Sequence, residues 1–510
     1  MSNHKILTLE SLKKIILRNK SKNKKIVLCH GTFDLLHIGH IKHFNQAKTF
    51  GDKLVVTITS DRYVNKGPKR PVFNEQYRLE AVAALDAVDF VALSNKPTAV
   101  HVIKKLKPNF YCKGPDYKNN KNDISGEITN EVRATKKLGG KIVYTKDITF
   151  SSSRLINLFS DTFSAKQKTL VKKIKNKYNF HEIRNLVEKF KKIKVLVIGE
   201  IIIDQYFFCE AIGKSGKEPV LALKDIKSEQ YLGGAGAICR HLSSFCNRIS
   251  LLSMVGERGE YLEDIKRKLP KNVTFRYIKK NNSPTILKKR FIDNSSITNN
   301  KVLGVYKIND EILKSKDEKL FNKMLKKTIP NYDLVIVSDY GHGLISKKSA
   351  DLICKLSKYV ALNAQVNAAN IGYHSMRNYK NIDCVIINET EIKHEMRNKN
   401  DKIESLMKEL SLKQNVKNLI VTRGTRGAIL YSKKDKKFTT CGAYAKVAVD
   451  KVGAGDSMLS VVALCLKSAF DRELALLIAS LAAAQSVETI GNKEAVNKIQ
   501  ILKTLESFFK

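Results

Sequence analysis

Two histidines at the junction of an apolar strand and a helix are the first residues with evident chemistry. His37 and His40 close the string GTFDLLHIGH, residues 31–40. Residues three apart on a helix face nearly the same way, and the N–H groups and dipole of a helix start suit phosphate. The spacing therefore predicts that both rings reach one triphosphate. Taken alone, two histidines at this spacing fit a structural role equally well.

A second candidate is the string DKVGAGDS, residues 450–457, which lies between the extended stretch AYAKVAV and an apolar helix. Its small residues, Gly453, Ala454 and Gly455, let the backbone approach a transferring phosphoryl group, and the N–H groups of the helix start form an anion hole. Asp456 is placed to accept the proton of a substrate hydroxyl. A plain helix-start turn would also explain the GxGD pattern on its own.

Both strings sit inside an alternation of strands and helices. From residue 25 the chain reads strand (KIVLCH), glycine turn, helix (HIGHIKHFNQAKTF) and strand (KLVVTIT), a unit typical of a parallel sheet. A second series opens with KVLVIGEIIIDQY, continues through DLVIVSDY, YVALNAQ, DCVIIN and NLIVTRG, and closes with helices from about residue 455 to 508. The alternation predicts an α/β fold with two doubly wound domains.

The domain boundaries follow from composition. Residues 161–190 are rich in lysine and contain neither proline nor glycine, which predicts a helical connector. The first domain then spans residues 1–160 and the second spans residues 191–510. Each is long enough to bury a core of its own.

The net charge is strongly positive. The chain has 92 Lys and Arg against 49 Asp and Glu, a formal charge of +43, and such an excess can serve nucleic acid or an anionic membrane. The lysines are spread along the whole chain, without a basic arm or an aromatic-interleaved stripe. The pattern favours phosphorylated small molecules as partners, with no nucleic acid and no membrane insertion.

The nine cysteines are scattered, odd in number and without a CxxC pair. We expect free core thiols in a reducing compartment, and neither disulfides nor zinc ligands. The first residues, MSNHKILTLESLKKIILRNK, lack an uninterrupted apolar run, and no segment approaches the roughly 18 apolar residues of a membrane span. These features predict a cytoplasmic protein.

The full N-terminal string resembles the TFDxxHxGH signature of the cytidylyltransferase-like nucleotidyltransferases. The other matching pieces stand in order: Asp52, Ser60-Asp61, Lys66-Gly67, Arg70-Pro71, Arg78, Lys113-Gly-Pro-Asp116-Tyr117 and the string SSSRLI at 151–156. The resemblance covers about residues 24–158. It implies a Rossmann-like HxGH domain in which a sugar phosphate attacks the α-phosphorus of a nucleoside triphosphate.

This resemblance also implies roles for individual residues. His37 and His40 would contact the triphosphate in the transition state, because catalysis of this transfer consists of positioning and charge stabilisation. Asp34 would bind substrate, and Arg78 fits phosphate binding and support of the fold equally well, as does Arg70. The predicted nucleotide and phosphate ligands are Gly31, Thr32, Phe33, Lys42, Arg70, Ser151 and Ser152.

The C-terminal string resembles the DTxGAGD signature of ribokinase-like sugar kinases, and the resemblance covers about residues 190–508. Further matching pieces are the string VIGE at 197–200 with Asp204, LGGA at 232–235, SDYG at 338–341, NETE at 388–391 and TRGTRG at 422–427. The resemblance implies Asp456 as the base. It implies nucleotide or phosphate contacts for Gly453, Ala454, Gly455, Thr422, Gly424 and Gly427, sugar contacts for Asp204, Gly233 and Gly234, and indirect organisation of Mg²⁺ by Asn388 and Glu391.

Three positions depart from the kinase pattern. Ala237 stands where related heptose kinases carry asparagine, and Lys451 stands where threonine is usual. Residues 363–367 read Asn363-Ala-Gln365-Val-Asn367 where many members carry an Asp-Pro-Lys type of strand end. These changes leave the phosphoryl-transfer machinery intact and alter the sugar pocket.

Both activities on one chain resemble the bifunctional heptose kinase/nucleotidyltransferases of lipopolysaccharide biosynthesis, with the domains in reverse order. The resemblance implies a sugar kinase and nucleotidyltransferase that uses ATP to make a nucleotide-activated sugar, with ADP-heptose as the candidate product for a surface glycan, and it implies a homodimer. Mg²⁺ is expected because both reactions neutralise polyphosphate charge.

Three alternatives remain open. The first is a CTP-dependent cytidylyltransferase for another sugar or polyol phosphate, fused to a kinase of different sugar specificity. The second is a sensor whose kinase half binds sugar without turnover. The third is a nucleic-acid-binding protein, which only the charge of +43 supports.

Overall fold

The structure is a computed structural model that describes residues 3–64, 70–118, 123–124, 126–146, 164–293, 300–365, 370, 374–445 and 447–510. The chain divides into two compact units, one formed by Met1–Thr162 with Ile499–Lys510 and the other by Phe163–Lys498. Within the described ranges, no helix combines the length and the apolar character needed to span a bilayer.

The first unit is built on a six-stranded parallel sheet. Its strands are β1 (Ile6–Leu7), β2 (Ile26–Gly31), β3 (Lys53–Thr59), β4 (Phe90–Ser94), β5 (Phe110–Lys113) and β6 (Lys141–Tyr144), in the order β1-β4-β3-β2-β5-β6. Its helices are α1 (Leu9–Ser21), α2 (Ile38–Lys48), α3 (Glu75–Ala83), α4 (Val100–Leu106) and α5 (Glu127–Lys137).

Both faces of this sheet are covered. Val27 and Cys29 of β2 pack in one hydrophobic cluster, whereas Ile26 and Leu28 pack in another on the opposite face. A parallel strand that is buried on both faces reads as a continuous apolar run. This explains why the strand KIVLCH is recognisable in the sequence, and it confirms the α/β class for this unit.

The second unit begins with two helices, α6 (Ala165–Lys177) and α7 (Phe180–Glu188), and contains a nine-stranded sheet. Its strands, in sheet order, are β11 (Val273–Lys280), β10 (Arg248–Gly256), β7 (Lys194–Gly199), β14 (Leu334–Asp339), β15 (Val360–Ala364), β16 (Cys384–Asn388), β17 (Asn418–Thr422), β18 (Ala428–Ser432) and β19 (Lys437–Cys441). Neighbouring strands are parallel from β11 to β17, and the last two pairs are antiparallel.

Helices cover the nine-stranded sheet as a doubly wound fold requires. They are α8 (Ala235–Leu242), α9 (Leu262–Lys268), α10 (Ser315–Thr328), α11 (Lys347–Leu356), α12 (Glu389–Met396), α13 (Ile403–Lys413), α14 (Ala454–Lys467) and α15 (Arg472–Val487). The chain ends with α16 (Lys498–Phe509), which from Ile499 onward belongs to the first unit. The prediction of two doubly wound α/β domains is confirmed.

A separate four-stranded sheet was not predicted. It comprises β13 (Asn300–Lys307), β12 (Leu287–Asp293), β8 (Ile201–Lys214) and β9 (Leu221–Gly234), in that order. All of β13 and much of β9 are solvent-exposed, so these strands lack the buried apolar run that marks the strands of the larger sheet. The first residues of β8 and the last of β9 are buried, and this end of the small sheet carries several of the predicted sugar contacts.

Candidate active sites

The loop between β2 and α2 carries the N-terminal motif. Phe33 and Leu35 adopt left-handed backbone conformations, with φ of 49° and 59°, which non-glycine residues rarely adopt. The Phe33 ring packs edge-on against His40, with ring centroids 5.5 Å apart, and against Phe44 at 4.9 Å. A side chain at Gly31 would meet the Phe33 ring at 2.8 Å. The loop therefore depends on glycine at the end of β2.

The two histidines of the motif lie together. His37 is the N-cap of α2, and its Nδ1 accepts a hydrogen bond from the N–H of Gly39 at 3.1 Å. The rings of His37 and His40 stack with centroids 4.0 Å apart. Burial lowers the pKa of His37, so the ring is neutral at pH 7 and carries its proton on Nε2. The structure thus brings together the two rings predicted to share one triphosphate.

Asp34 and Arg70 are two further predicted site residues, and both are buried. Asp34 is buried, and its carboxylate accepts hydrogen bonds from the N–H groups of Val72, at 2.9 and 3.0 Å, and Phe73, at 3.1 Å. Arg70 is buried beside Asp34, and burial lowers the pKa of its guanidinium. The contacts of Asp34 are those of a residue that positions the backbone of Val72 and Phe73, and its contact with substrate stays a prediction.

Arg78 makes the contacts expected of a residue that supports the fold, which is one of its two open alternatives. Its buried guanidinium donates to the carbonyls of Phe73 at 3.0 Å and Thr32 at 2.6 Å, and to Asp61 at 2.5 Å. Arg78 therefore ties the motif loop to α3 instead of facing solvent. Lys42 lies exposed on α2. Ser151 and Ser152 lie outside the described residues, as do Lys66 and Gly67.

One group of thiol and imidazole side chains lies close together in the described part of the chain. The ligand-type atoms of Cys29, His43 and Cys112 are within 4.8 Å of one another, and His43 Nδ1 is 3.0 Å from Thr145 Oγ1. Burial raises the pKa of Cys29 well above its usual range. Because a metal binds the thiolate, this burial opposes metal binding. All nine cysteines are free thiols.

The C-terminal motif forms the start of α14. Gly453 precedes the helix with φ of 86°, and a side chain there would lie 2.2 Å from Asn492 Oδ1. Ala454 and Gly455 form the first turn, and Asp456 follows with 8% of its surface exposed. The hydroxyl of Tyr340, at the end of β14, lies 2.9 Å from both oxygens of Asp456. Asp456 is thus held at a helix N-terminus, the place predicted for the base.

The environment of Asp456 tunes its protonation. Burial raises the pKa of Asp456 to about 7, the negative charges of Asp204 and Glu391 act in the same direction, and the hydrogen bond from Tyr340 lowers it. A carboxylate whose pKa lies near the working pH is suited to proton transfer. A pKa near 7 would suit the role of general base that the sequence predicts for Asp456.

The predicted sugar contacts meet at the buried end of the four-stranded sheet. Asp204 on β8 is buried and pairs with the guanidinium of Arg290 on β12. A side chain at Gly233 would lie 2.2 Å from Asp204 Oδ2. Gly234 has φ of 57°, and a side chain there would lie 2.4 Å from the carbonyl of Glu200. The glycine pair therefore makes room for the Asp204 carboxylate and for the turn into α8.

Lys288 is a functional candidate that sequence reasoning missed. It is buried on β12, two residues before Arg290, and its Nζ lies 5.6 Å from the centroid of the Tyr340 ring. Burial lowers the pKa of Lys288 while the charge of Asp204 raises it, and the positive charge in turn lowers the pKa of Asp456. The string LKKRFID reads as an exposed basic strand, so only the fold shows that this lysine faces the base.

The motifs on the predicted nucleotide side meet at one edge of the large sheet. Asn388 ends β16 and Thr422 ends β17, and the two residues are direct neighbours in the strand register. Asn388 Oδ1 accepts from the N–H of Glu391 at 2.8 Å, and Glu391 Oε2 accepts from the N–H of Asn388 at 2.7 Å. The pair forms a capping box at the start of α12. This cap fixes the orientation of both side chains at the carboxyl end of β16.

The turn after β17 depends on two glycines. Gly424 has φ of 58° and Gly427 has φ of 80°, and a side chain at Gly427 would lie 2.0 Å from the carbonyl of Cys441. These conformations favour glycine. The predicted nucleotide-side turn therefore has a backbone that larger residues cannot adopt without strain.

The departures from the kinase pattern fall at buried and exposed positions alike. Ala237 is buried in α8. Asn363 is buried on β15, and its amide donates to the carbonyl of Ile386 on β16 at 2.8 Å, so this side chain joins two strands. Lys451 is exposed, and Asn367 lies outside the described residues.

Comparison with protein families agrees with this geometry. The model of the pfkB family carbohydrate kinases matches residues 192–499. The chain belongs to this family. Residues 28–158 match the cytidylyltransferase-like family, so a cytidylyltransferase-like domain precedes the pfkB domain. Members of these families bind sugars and nucleotides as small molecules, and they use ATP and typically Mg²⁺.

Curated relatives share one part of the pfkB-family chain. Bifunctional protein HldE of Geotalea uraniireducens (strain Rf4) is 43% identical over 118 residues, which are 23% of this chain and 24% of the relative. Bifunctional protein HldE of Aliarcobacter butzleri (strain RM4018) is 35% identical over 142 residues, 28% of this chain and 30% of the relative. The chain thus spans less than a third of the length of these relatives.

Solved structures support the fold of the pfkB domain. Phosphofructokinase-2 from Escherichia coli, in complex with potassium, has a TM-score of 0.51 at 13% identity, over 62% of this chain and 99% of that chain. The same enzyme in complex with substrates and products has a TM-score of 0.50 at 14% identity, over 62% of this chain and 100% of that chain. At this identity the likeness shows the fold alone.

Proposed function

We propose that this chain is a bifunctional sugar kinase and sugar-phosphate nucleotidyltransferase that makes a nucleotide-activated sugar, ADP-heptose, for a surface glycan. The observation that carries the proposal is that each unit has its own polar centre at the start of a helix. These centres are the stacked His37 and His40 on α2, and Asp456 on α14. The partial identity to the HldE proteins supports the pairing of the two activities.

In the kinase reaction, Asp456 accepts the proton of the sugar hydroxyl while that oxygen attacks the γ-phosphorus of ATP. Asp204, positioned by Arg290, binds sugar hydroxyls as an acceptor. The N–H groups at Gly453 to Gly455 and the dipole of α14 stabilise the charge that develops on the phosphoryl oxygens. The positive charge of the buried Lys288 lowers the pKa of Asp456. These residues supply position and charge, which is what phosphoryl transfer requires.

In the nucleotidyl transfer, the sugar phosphate attacks the α-phosphorus and pyrophosphate leaves. His37 and His40 stabilise the charge on the transferring phosphate, and the neutral His37 donates through Nε2–H. The N–H groups at the start of α2 contribute to the same anion site. Gly31, Thr32 and Phe33 give the loop its shape, and Lys42, Arg70, Ser151 and Ser152 belong to the proposal as further phosphate ligands.

Mg²⁺ fits the donors at the end of β16. Carboxylate and amide oxygens are ligands that this ion prefers, with several water molecules retained, and Asn388 and Glu391 supply one of each within a rigid cap. We therefore assign these two residues to indirect, water-mediated binding of Mg²⁺. When bound, the ion neutralises charge on the polyphosphate. Thr422, Gly424 and Gly427 would then hold the nucleotide beside it.

The proposal also includes the domain limits, the compartment and the assembly. We assign residues 1–160 to the transferase, 161–190 to a helical connector and 191–510 to the kinase, although residues 499–510 group with the first compact unit and the connector helices group with the second. A reducing cytoplasm suits nine free thiols. A homodimer rests on family resemblance, and sedimentation at micromolar concentration tests it.

Replacing Tyr340 by Phe is expected to move the acidic limb of the kinase kcat profile to higher pH by about one unit. The hydrogen bond from Tyr340 lowers the pKa of Asp456, which burial holds near 7. Without it the pKa rises, and because Asp456 accepts a proton only when ionised, kcat falls at pH 7 and recovers at alkaline pH.

The matched control is Tyr379→Phe, since the hydroxyl of Tyr379 donates to a different buried carboxylate, Asp339, at 2.7 Å. We expect an unshifted profile for this control. An equal loss of kcat at every pH in Tyr340→Phe would show that Tyr340 acts only through packing.

Replacing Gly233 by Ala is expected to raise the KM for the sugar at least about tenfold, with the KM for ATP unchanged, because a lost hydrogen bond to a charged group costs about 1.5–3 kcal/mol. The added methyl would displace the Asp204 carboxylate, 2.2 Å away. Gly216→Ala is the control, since a side chain there meets no atom within 4 Å. Equal changes in both KM values would argue against a sugar contact for Asp204.

The substrates are tested with purified protein, Mg²⁺, either ATP or CTP, and a panel that includes heptose 7-phosphate and heptose 1-phosphate. Mass spectrometry is expected to show a second phosphate on heptose 7-phosphate and a sugar nucleotide from heptose 1-phosphate with ATP alone. A sugar nucleotide only with CTP would replace the ADP-heptose proposal by the cytidylyltransferase alternative. The absence of any product would refute both activities and leave the sensor alternative.

A further inference from the structure

We propose that a pocket at the amino-terminal edge of the nine-stranded sheet binds a multiply phosphorylated small molecule, at a site separate from both proposed active sites. The pocket has a volume of about 360 Å³, which lies within the range of small-molecule sites. It is lined by Lys194, Arg248, Arg276, Thr328, Pro330, Asn331, Tyr332 and Lys358.

Four cations from four separate segments converge on this pocket. Lys194 begins β7 and Arg248 begins β10, and the two are direct neighbours in the strand register. Arg276 lies on β11, and Lys358 lies just before β15. Like charges at neighbouring positions on adjacent strands repel each other. An anionic ligand bound between Lys194 and Arg248 would reduce this repulsion.

Few negatively charged side chains lie near these four cations. Among the described residues, neither an aspartate nor a glutamate lines the pocket, and no ion pair to any of its four cations is found. One carboxylate lies close by, because Asp333 accepts a hydrogen bond from the backbone N–H of Lys194 at 3.0 Å, and its single negative charge is outnumbered by the four cations. The positive charge is therefore open to a ligand.

The floor of the pocket is ordered and polar. Tyr332 and Thr328 are buried, and the hydroxyl of Tyr332 bonds to Ser250 Oγ at 2.5 Å. Asn331 lies exposed at the rim with its amide held by the carbonyl of Lys327 at 3.0 Å. Guanidinium groups bind phosphate through two parallel hydrogen bonds. Two arginines and two lysines over a fixed polar floor suit a ligand with two or more phosphate groups.

The pocket is distinct from the kinase site. It lies where the strands begin, whereas Gly199, Ser338 and Asn388 lie where β7, β14 and β16 end, beside the predicted substrate and nucleotide contacts. The six residues of β7 span roughly 17 Å at the usual rise of a strand. A ligand in the pocket can therefore be bound while the kinase site is occupied.

A small molecule fits better than nucleic acid. The cations line one cavity instead of forming a track along the surface, and the aromatic residue among the described lining residues, Tyr332, is buried and offers no face on which a base could stack. Nucleic acid remains an outcome that the experiment distinguishes.

The test is acetylation footprinting of the full-length protein with inorganic tripolyphosphate as the probe. Rates of acetylation of Lys194 and Lys358 are measured by mass spectrometry over a range of probe concentrations, in sodium chloride of matched ionic strength, because salt screens general surface attraction. Tripolyphosphate is expected to protect both lysines with a saturable dependence. The double variant Arg248→Ser/Arg276→Ser should raise the Kd at least about tenfold, since it removes both guanidinium groups.

The control variant is Lys316→Ser/Lys319→Ser, which removes the same charge from exposed positions at the start of α10. Its Kd should equal that of the unmodified chain. The proposal is overturned by equal protection in the Arg248→Ser/Arg276→Ser variant, by similar protection of exposed lysines throughout the chain, or by protection with a single-stranded oligonucleotide but not with tripolyphosphate. Because footprinting needs no turnover, its result is independent of the proposed enzyme activities.

Discussion

The Asp456→Asn variant is expected to phosphorylate sugar about 10³-fold more slowly than the unmodified chain, the size of effect typical of a general base. Asparagine is nearly isosteric and can still accept from Tyr340, but it cannot take the proton of the sugar hydroxyl. The measurement is kcat for ADP release at saturating sugar and ATP. Nucleotidyl transfer by the same variant should be unchanged.

The control for Asp456→Asn is Asp383→Asn. Asp383 is also 8% exposed and lies in the same unit, where it accepts from the N–H of Val360 and pairs with Lys417 away from the carboxyl ends of the strands. Its replacement should lower the free energy of unfolding. At temperatures where the variant is still folded, its kcat should be unchanged. A kcat for Asp456→Asn within about threefold of normal would exclude general-base catalysis by this residue.

The His37→Ala variant is expected to lose nucleotidyl transfer by about 10²–10³-fold, as when one donor to a transition-state charge is removed, and to keep kinase activity. His37 also caps α2, so the loss needs to be separated from helix destabilisation, which for a cap is about 1 kcal/mol. His37→Asn supplies this separation, because asparagine retains a cap acceptor but removes the imidazole.

Both substitutions at His37 should therefore slow nucleotidyl transfer to a similar extent. Retention of transfer in His37→Asn would assign the histidine to capping alone. His101→Ala, at an exposed position on α4, is expected to leave both activities normal. If either His37→Ala or Asp456→Asn silenced both reactions in a folded protein, the model of two separate sites would be wrong.

Much of the fold could be predicted because the central, parallel strands of the two large sheets are buried on both faces. The runs KIVLCH and DLVIVSD are almost continuously apolar and correspond to β2 and β14. The four-stranded sheet escaped prediction because its strands are exposed over much of their length. In β12, the string LKKRFID reads as a solvated surface although Lys288 is buried.

The candidate sites also contain some residues that local sequence predicts and others that only the fold reveals. Local strings indicate His37, His40 and Asp456, since the chemistry of each depends on a helix start only a few residues away. Tyr340 is 116 residues from Asp456 in the sequence, so its contact with the base follows only from the packing of β14 against α14. Likewise, the string GTFD predicts that Asp34 binds substrate. Its hydrogen bonds to Val72 and Phe73 join segments that are distant in the sequence, so they follow only from the fold.

The central claim, that one chain performs two phosphorus chemistries at two sites, is tested most directly by isotope tracing with ATP labelled at either the α- or the γ-phosphorus. The purified chain is incubated with Mg²⁺ and each labelled ATP, with heptose 7-phosphate or heptose 1-phosphate as acceptor. The account predicts γ-label in a sugar bisphosphate from the first acceptor, lost in Asp456→Asn, and α-label in a sugar nucleotide from the second, lost in His37→Ala. Transfer of neither label to any sugar, or loss of both transfers in either variant, would contradict it.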